Sequence, residues 1–99
     1  MHLQITANNF DITKKAKSLA QAKIADKLDH HLASFAANLP PAQIHIEKER
    51  FGIYRVNFEL HVPKLGRLYA QKRHILLRSA FIDLRQQIEK QIARHRKNN

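Results

Sequence analysis

Apolar and polar residues alternate along four stretches of this chain and recur at helical spacing along two others. From His2 to Ala7, Leu3, Ile5 and Ala7 fall on one side and His2, Gln4 and Thr6 on the other. That is the period of a half-buried strand. Asn8-Asn9 interrupts it as a turn signal. Asp11 or Thr13 is placed to cap a helix that the spacing carries to about His31 or beyond. Its stripe is Ile12, Ala16, Leu19 and Ala20, extended by Ile24 and Leu28. Pro40-Pro41 cannot continue a helix and marks the next connection.

Three further strands are expected. In the first, Ala42, Ile44 and Ile46 alternate with Gln43, His45 and Glu47. Arg50-Phe51-Gly52 reads as a tight link. The second sets Tyr54, Val56, Phe58, Leu60 and Val62 against Arg55, Asn57, Glu59 and His61, the clearest alternation in the chain. Pro63-Lys64-Leu65-Gly66 reads as a hairpin turn. In the third, Leu68 and Ala70 oppose Arg67, Tyr69 and Gln71. From about Ile75 the pattern becomes helical, with Leu77, Phe81, Leu84, Ile88 and Ile92 on one stripe.

The order is therefore β-α-β-β-β-α. It predicts an α+β fold of two layers, a four-stranded sheet with both helices on its apolar face and its polar face in water. Residues 1–97 should form a single domain, with 98–99 frayed. No internal repeat or low-complexity linker divides the chain.

Composition changes the picture through charge. Lys and Arg number 18 against 8 Asp and Glu, a net charge of +10 on 99 residues. Such an excess speaks of partners rather than of fold, and it favours a polyanion. There is no Cys, which excludes disulfides, thiolate nucleophiles and thiolate metal sites. The N-terminus has no basic start followed by an apolar stretch, so no secretory signal is expected. No run approaches the ~20 apolar residues of a membrane span. A cytoplasmic protein without a membrane partner is expected.

The cations cluster. The last helix and its approach carry Lys72, Arg73, Arg78, Arg85, Lys90, Arg94, Arg96 and Lys97, opposed only by Asp83 and Glu89. The first helix carries Lys14, Lys15, Lys17, Lys23 and Lys27. If both helices cover one sheet face, their outer surfaces combine into one positive surface with a groove between them. Charge of this kind gives affinity and register on a phosphate backbone without reading sequence. It suits structured RNA, which is recognised largely by shape.

At this point the residues resemble a known family. Leu3-Gln4-Ile5-Thr6-Ala7-Asn8-Asn9-Phe10-Asp11-Ile12-Thr13 is similar to the opening of the ribosome hibernation-promoting factors and ribosome-associated translation inhibitors. The similarity continues in Ala22-Lys23-Ile24-Ala25, and in Lys27-Leu28 after a one-residue shift. It returns at Gln91-Ile92-Ala93-Arg94-His95-Arg96, which resembles the family's basic helix end.

The resemblance implies a double-stranded-RNA-binding-domain-like fold and a domain that binds the small ribosomal subunit near the mRNA channel and decoding region. There it blocks mRNA and tRNA, and it preserves idle ribosomes in stationary phase or stress. The matching basic positions are Lys17, Lys23, Lys27, Lys90, Arg94 and Arg96. Arg78 and Arg85, which line one flank of the last helix, complete the expected rRNA-binding set. A short form is implied, closer to the hibernation-promoting branch because no acidic tail follows. The partners would be the small subunit and its ribosomal RNA, with no small-molecule substrate, no cofactor and a monomer when free.

The start of the last helix departs from the family pattern. Leu76 stands where an acidic residue is usual and Arg78 where an aromatic is usual. Leu76 and Ile82 lie off the apolar stripe, either buried by a neighbouring loop or forming an exposed contact surface.

Other chemistry finds little support. No G-x-S-x-G, H-E-x-x-H or P-loop pattern is present, and two glycines do not make a phosphate-cradling loop. His45 and His61 share the polar sheet face, but no spacing specifies a metal site. Glu47, Glu49 and Glu59 are expected to balance Arg50 and Arg55. Tyr69 and Phe51 are candidate stacking groups, but one stands alone on the polar face and the other in a turn. No enzyme activity is expected. Two alternatives stay open: a general structured- or double-stranded-RNA-binding module, and a protein-interaction domain using Leu76 and Ile82.

Overall fold

A computed structural model of the protein describes residues 1–97; the expected fraying of 98–99 lies outside them. Strand β1 (Leu3–Asn8) leads to α1 (Lys14–Ala20), a π-helical segment (Gln21–Ala25), α2 (Asp26–His31) and a 3-10 turn (Ala33–Asn38). Then follow β2 (Ala42–Lys48), a 3-10 link (Arg50–Gly52), β3 (Tyr54–Val62), β4 (Gly66–His74) and α3 (Leu77–Lys97). The four strands form one sheet in the order β1-β2-β3-β4. β1 pairs parallel with β2, and the other two pairings are antiparallel. The expected α+β architecture is the one observed.

Alternation decides which face is covered. Ala42, Ile44, Ile46, Val56, Phe58, Leu60, Val62, Leu68 and Ala70 are buried and share one core with Ala20, Ile24, Leu28, Leu32, Phe81, Leu84, Ile88 and Ile92. Both helical runs therefore lie on the same face, because that is where the apolar halves of the strands point. A single-residue slip of register would turn the whole set to water.

The first helix begins at Thr13, whose hydroxyl accepts the Ala16 N–H at 3.1 Å. This satisfies one of the first-turn donors that the helix itself cannot. Its buried positions Ala16, Ala20, Ile24, Leu28 and Leu32 recur every fourth residue. In a regular α-helix each such step drifts by about 40° around the axis. The π segment takes up that drift. The Asp26 N–H reaches back to the Gln21 carbonyl, making one wide turn, and the Gln21 side-chain amide donates to Asp26 at 2.9 Å across it. An extra residue in a regular helix would rotate everything beyond it by about 100°. A wide turn absorbs the extra residue, and the one-residue shift before Lys27-Leu28 falls at its end.

The helices run parallel. Thr13, Ala16 and Leu19 face Leu77 and Arg78 at one end, and His31 meets Glu89 and Arg96 at the other. Both helix N-termini, the β2–β3 link and the end of β4 thus lie at one end of the domain. Phe10 and Tyr54 pack edge to face there, with ring centroids 5.6 Å apart.

Candidate nucleic-acid interface

The two faces of the domain carry opposite charge arrangements. On the open sheet face the carboxylates are consumed. Glu47 lies opposite Arg55 in the register and pairs with it. Arg55 and Arg73 are direct cross-strand neighbours, a like-charge placement that is unfavourable by itself. Glu49 lies between them, 3.9 Å from Arg55 and 2.8 Å from Arg73. Glu59 accepts from Arg67 at 2.9 Å, with His61 at 3.4 Å. The Arg67 hydrogen bond holds the Glu59 carboxyl below the usual carboxylate range, helped by the charges of Arg67 and His61. Arg55 balances the acids as expected, but Arg73 and Arg67 do so in place of Arg50.

Other groups on this face are also engaged. His45 and His61 sit on adjacent strands, but His45 faces Asn57 and His61 faces Arg67. His45 bonds the Thr6 hydroxyl at 2.7 Å. The Arg67 guanidinium covers the Tyr69 ring at 4.6 Å, so that ring is not an open platform.

On the helical face the cations stand uncompensated. Among the described residues, no ion pair involves Lys14, Lys15, Lys17, Lys23, Lys27, Arg78, Lys90 or Arg94. Asp29 pairs with the Met1 amino group at 3.0 Å, Asp26 accepts from Gln21, and Glu89 is taken by its neighbours. Asp11 and Asp83 remain.

The eight expected contact residues are not equivalent. Lys27, Lys90 and Arg94 are exposed and Lys23 is half-buried, two pairs on neighbouring helical runs. Lys17 is exposed but lines a hollow with His2, Leu3, Ile5 and Gln21, on the flank that overlooks β1. Arg78 stands on the rim of a groove of about 560 Å³ between α1 and α3. Lys15, which the resemblance does not single out, is on the opposite side of that groove. Phe10, Leu19 and Leu77 make it apolar, so its rims rather than its floor can meet phosphate.

Arg85 is tucked in, its side chain 17% exposed and 3.5 Å from Glu89, which His31 also reaches at 2.9 Å. Arg96 donates to the His31 carbonyl, one of the acceptors that the end of a helix leaves without a partner. Sequence spacing placed both arginines on the right helix. It could not show that Arg96 reaches across to the other helical run, or that Glu89, beside Arg85, is shared with His31.

The start of α3 settles the two apolar residues off the stripe. Leu76 is 59% exposed and Ile75 64%, so no loop buries Leu76; Ile82 is half-buried. Ile75 and Leu76 follow β4 as it leaves the sheet, before α3 begins at Leu77.

The domain thus has two layers, a sheet face whose arginines are paired with carboxylates and a helical face on which most cations join no ion pair among the described residues. Over residues 3–99 the chain matches the family described as Sigma 54 modulation protein / S30EA ribosomal protein, and it belongs to that family. The family is one of ribosome-associated modulation factors rather than of enzymes. Its fold is shared by the Thermus thermophilus Protein Y N-terminal domain, with a TM-score of 0.79 at 18% identity, over 95% of this chain and 98% of that one. A ribosomal subunit interface protein from Coxiella burnetii aligns with a TM-score of 0.73 at 16% identity, over 98% of this chain and 99% of that one. No curated protein matches in sequence. No helix among the described residues is long and apolar enough to cross a membrane.

Proposed function

We infer that this domain is a ribosome hibernation factor of the cytoplasm. It binds the small ribosomal subunit through ribosomal RNA at the mRNA and tRNA decoding region, and so silences translation and preserves idle ribosomes in stationary phase or stress. The observation that carries the reading is the segregation of charge. The sheet's arginines are spent on Glu47, Glu49 and Glu59, while among the described residues Lys17, Lys23, Lys27, Arg78, Lys90 and Arg94 of the helical face join no ion pair. Family membership supplies the ribosome as the polyanion.

The mechanism needs no covalent step. The domain binds as a monomer, and Lys23, Lys27, Lys90 and Arg94 lie against phosphates, with Arg78 and Lys15 engaging at the groove. Lys17 contacts RNA from the β1 flank. Arg96 acts chiefly by holding the helices in register, and Arg85 by positioning Glu89 where His31 meets it. The bound domain occupies space that mRNA and tRNA require, and inhibition ends when it dissociates.

The test is co-sedimentation of the purified protein with purified small subunits, at low and moderate salt, with free duplex RNA as competitor. Binding that survives excess duplex is the expected result. Binding lost to any duplex makes the domain a general RNA binder and overturns the reading.

A further inference from the structure

The link between β2 and β3 holds a phenylalanine out in water. Phe51 is 92% exposed. Its φ of 65° lies in the left-handed region, which a residue with a Cβ enters only against steric resistance. Gly52 follows at φ 72°. The aromatic pair at this end, Phe10 with Tyr54, does not include Phe51. Packing therefore does not account for the ring, and the backbone disfavours it; glycine or asparagine would suit the turn better. Strain retained at an exposed position calls for a functional reason.

The surroundings select the occupant. Arg50, beside Phe51, is exposed and makes no ion pair among the described residues. Arg78 and Lys15 stand at the same end. Glu47 and Glu49 are tied to arginines, and Asp11 and Asp83, which join no ion pair among the described residues, are outnumbered by Arg50, Arg78 and Lys15. A flat apolar ring among uncompensated cations matches a nucleobase face with its phosphates. It matches an apolar protein pocket poorly, because the cations would lose their water without gaining partners.

We propose that Phe51 stacks on an unpaired base of ribosomal RNA while Arg50 meets an adjoining phosphate, giving the domain a second RNA contact beyond its helical surface. This rests on the ribosome-binding reading above. The stack tolerates any base, since every base offers a π face. The short link makes the ring a rigid projection, so little freedom is lost on binding.

The experiment compares Phe51→Ala, Phe51→Leu and Phe51→Trp in binding to purified small subunits. The chain has no Trp of its own, so the indole reports from that site alone. Phe51→Ala should weaken binding by about five- to a hundredfold with an unchanged salt dependence, because no charge is lost. Phe51→Leu should bind no better than Phe51→Ala. Phe51→Trp should bind at least as tightly as the parent, with its emission quenched on binding. Phe51→Gly, which the turn accommodates, guards against a folding effect and should bind as weakly as Phe51→Ala.

Parent-like binding by Phe51→Ala, or an indole still in water in the complex, overturns the proposal. Restored binding by Phe51→Leu, with a blue-shifted and unquenched indole in Phe51→Trp, overturns it in favour of an apolar protein pocket. Failure of the parent chain to bind subunits at all overturns the ribosome reading and this proposal with it.

Discussion

Gln91 of α3 covers the β4 edge of the sheet at one position by bonding the backbone of Tyr69. Its side-chain oxygen accepts the Tyr69 N–H at 3.1 Å, and its amide donates to the Tyr69 carbonyl. Tyr69 lies in β4, whose other edge is paired with β3. The amide group of one side chain thus takes the place of a fifth strand at this position, and unpaired strand edges are where sheets recruit foreign chains.

Gln91→Ala should therefore cost about 1 kcal/mol, the net worth of such hydrogen bonds when water can partly replace them. A domain of this size would show that as a fall of roughly 4–8 °C in Tm. Amide exchange at Tyr69 should quicken and self-association should rise. Gln91→Glu should destabilise more, since it keeps the acceptor but sets a negative charge against the Tyr69 carbonyl. Equal melting of Gln91→Ala and the parent would show that the edge is held by the ladder alone.

Reversal of Lys23, Lys27, Lys90 and Arg94 to Glu should abolish ribosome association while leaving the fold intact. None of the four is buried and none joins an ion pair. Single neutralisations should lower the slope of log affinity against log salt by nearly one each. Arg85→Ala should behave differently, lowering the melting temperature with a smaller change in slope, because Arg85 sits beside Glu89. Full binding by the folded quadruple variant, measured by sedimentation, would remove the helical surface from the interface.

Phe51→Asn should raise stability by about 1 kcal/mol, the relief of a left-handed conformation at a residue with no packing to lose. Thermal unfolding reads this directly. The same substitution should weaken subunit binding, so stability and function would move in opposite directions at one position. A variant no more stable than the parent would mean that Phe51 packs in solution.

Glu59 should titrate below the ordinary carboxylate range in an NMR pH series, because Arg67 bonds its charged form. A depressed pKa means that the pairing is fully present above the unfolded carboxylate range and is lost as pH falls through the folded value. Arg67, raised by the same bond, stays charged throughout. Arg67→Ala should return Glu59 to an ordinary midpoint. An unchanged midpoint would assign the shift to His61.

Periodicity alone gave the number, order and facing of the elements. An alternation such as Tyr54 to Val62 has one apolar side, and burying it requires a sheet with a cover. The stripes on the helices then leave only one place for them. Composition likewise announced a polyanion partner, since charge adds without reference to geometry.

Distances across the fold were not legible, because they depend on register and on which helix faces meet. Nothing local says that Glu49 lies between Arg55 and Arg73, or that His31 reaches Glu89. Arg85 has an i,i+4 partner in Glu89 on its own helix, whereas parallel packing of the helices brings Arg96 to the His31 carbonyl. The pattern left Leu76 undecided and gave Phe51 to a turn, since a residue's exposure depends on what lies above it. The chain by itself determined which faces are apolar and how much charge it carries; only the tertiary structure decided which charges have partners on other segments, because such pairing requires two segments to be brought within a few ångströms.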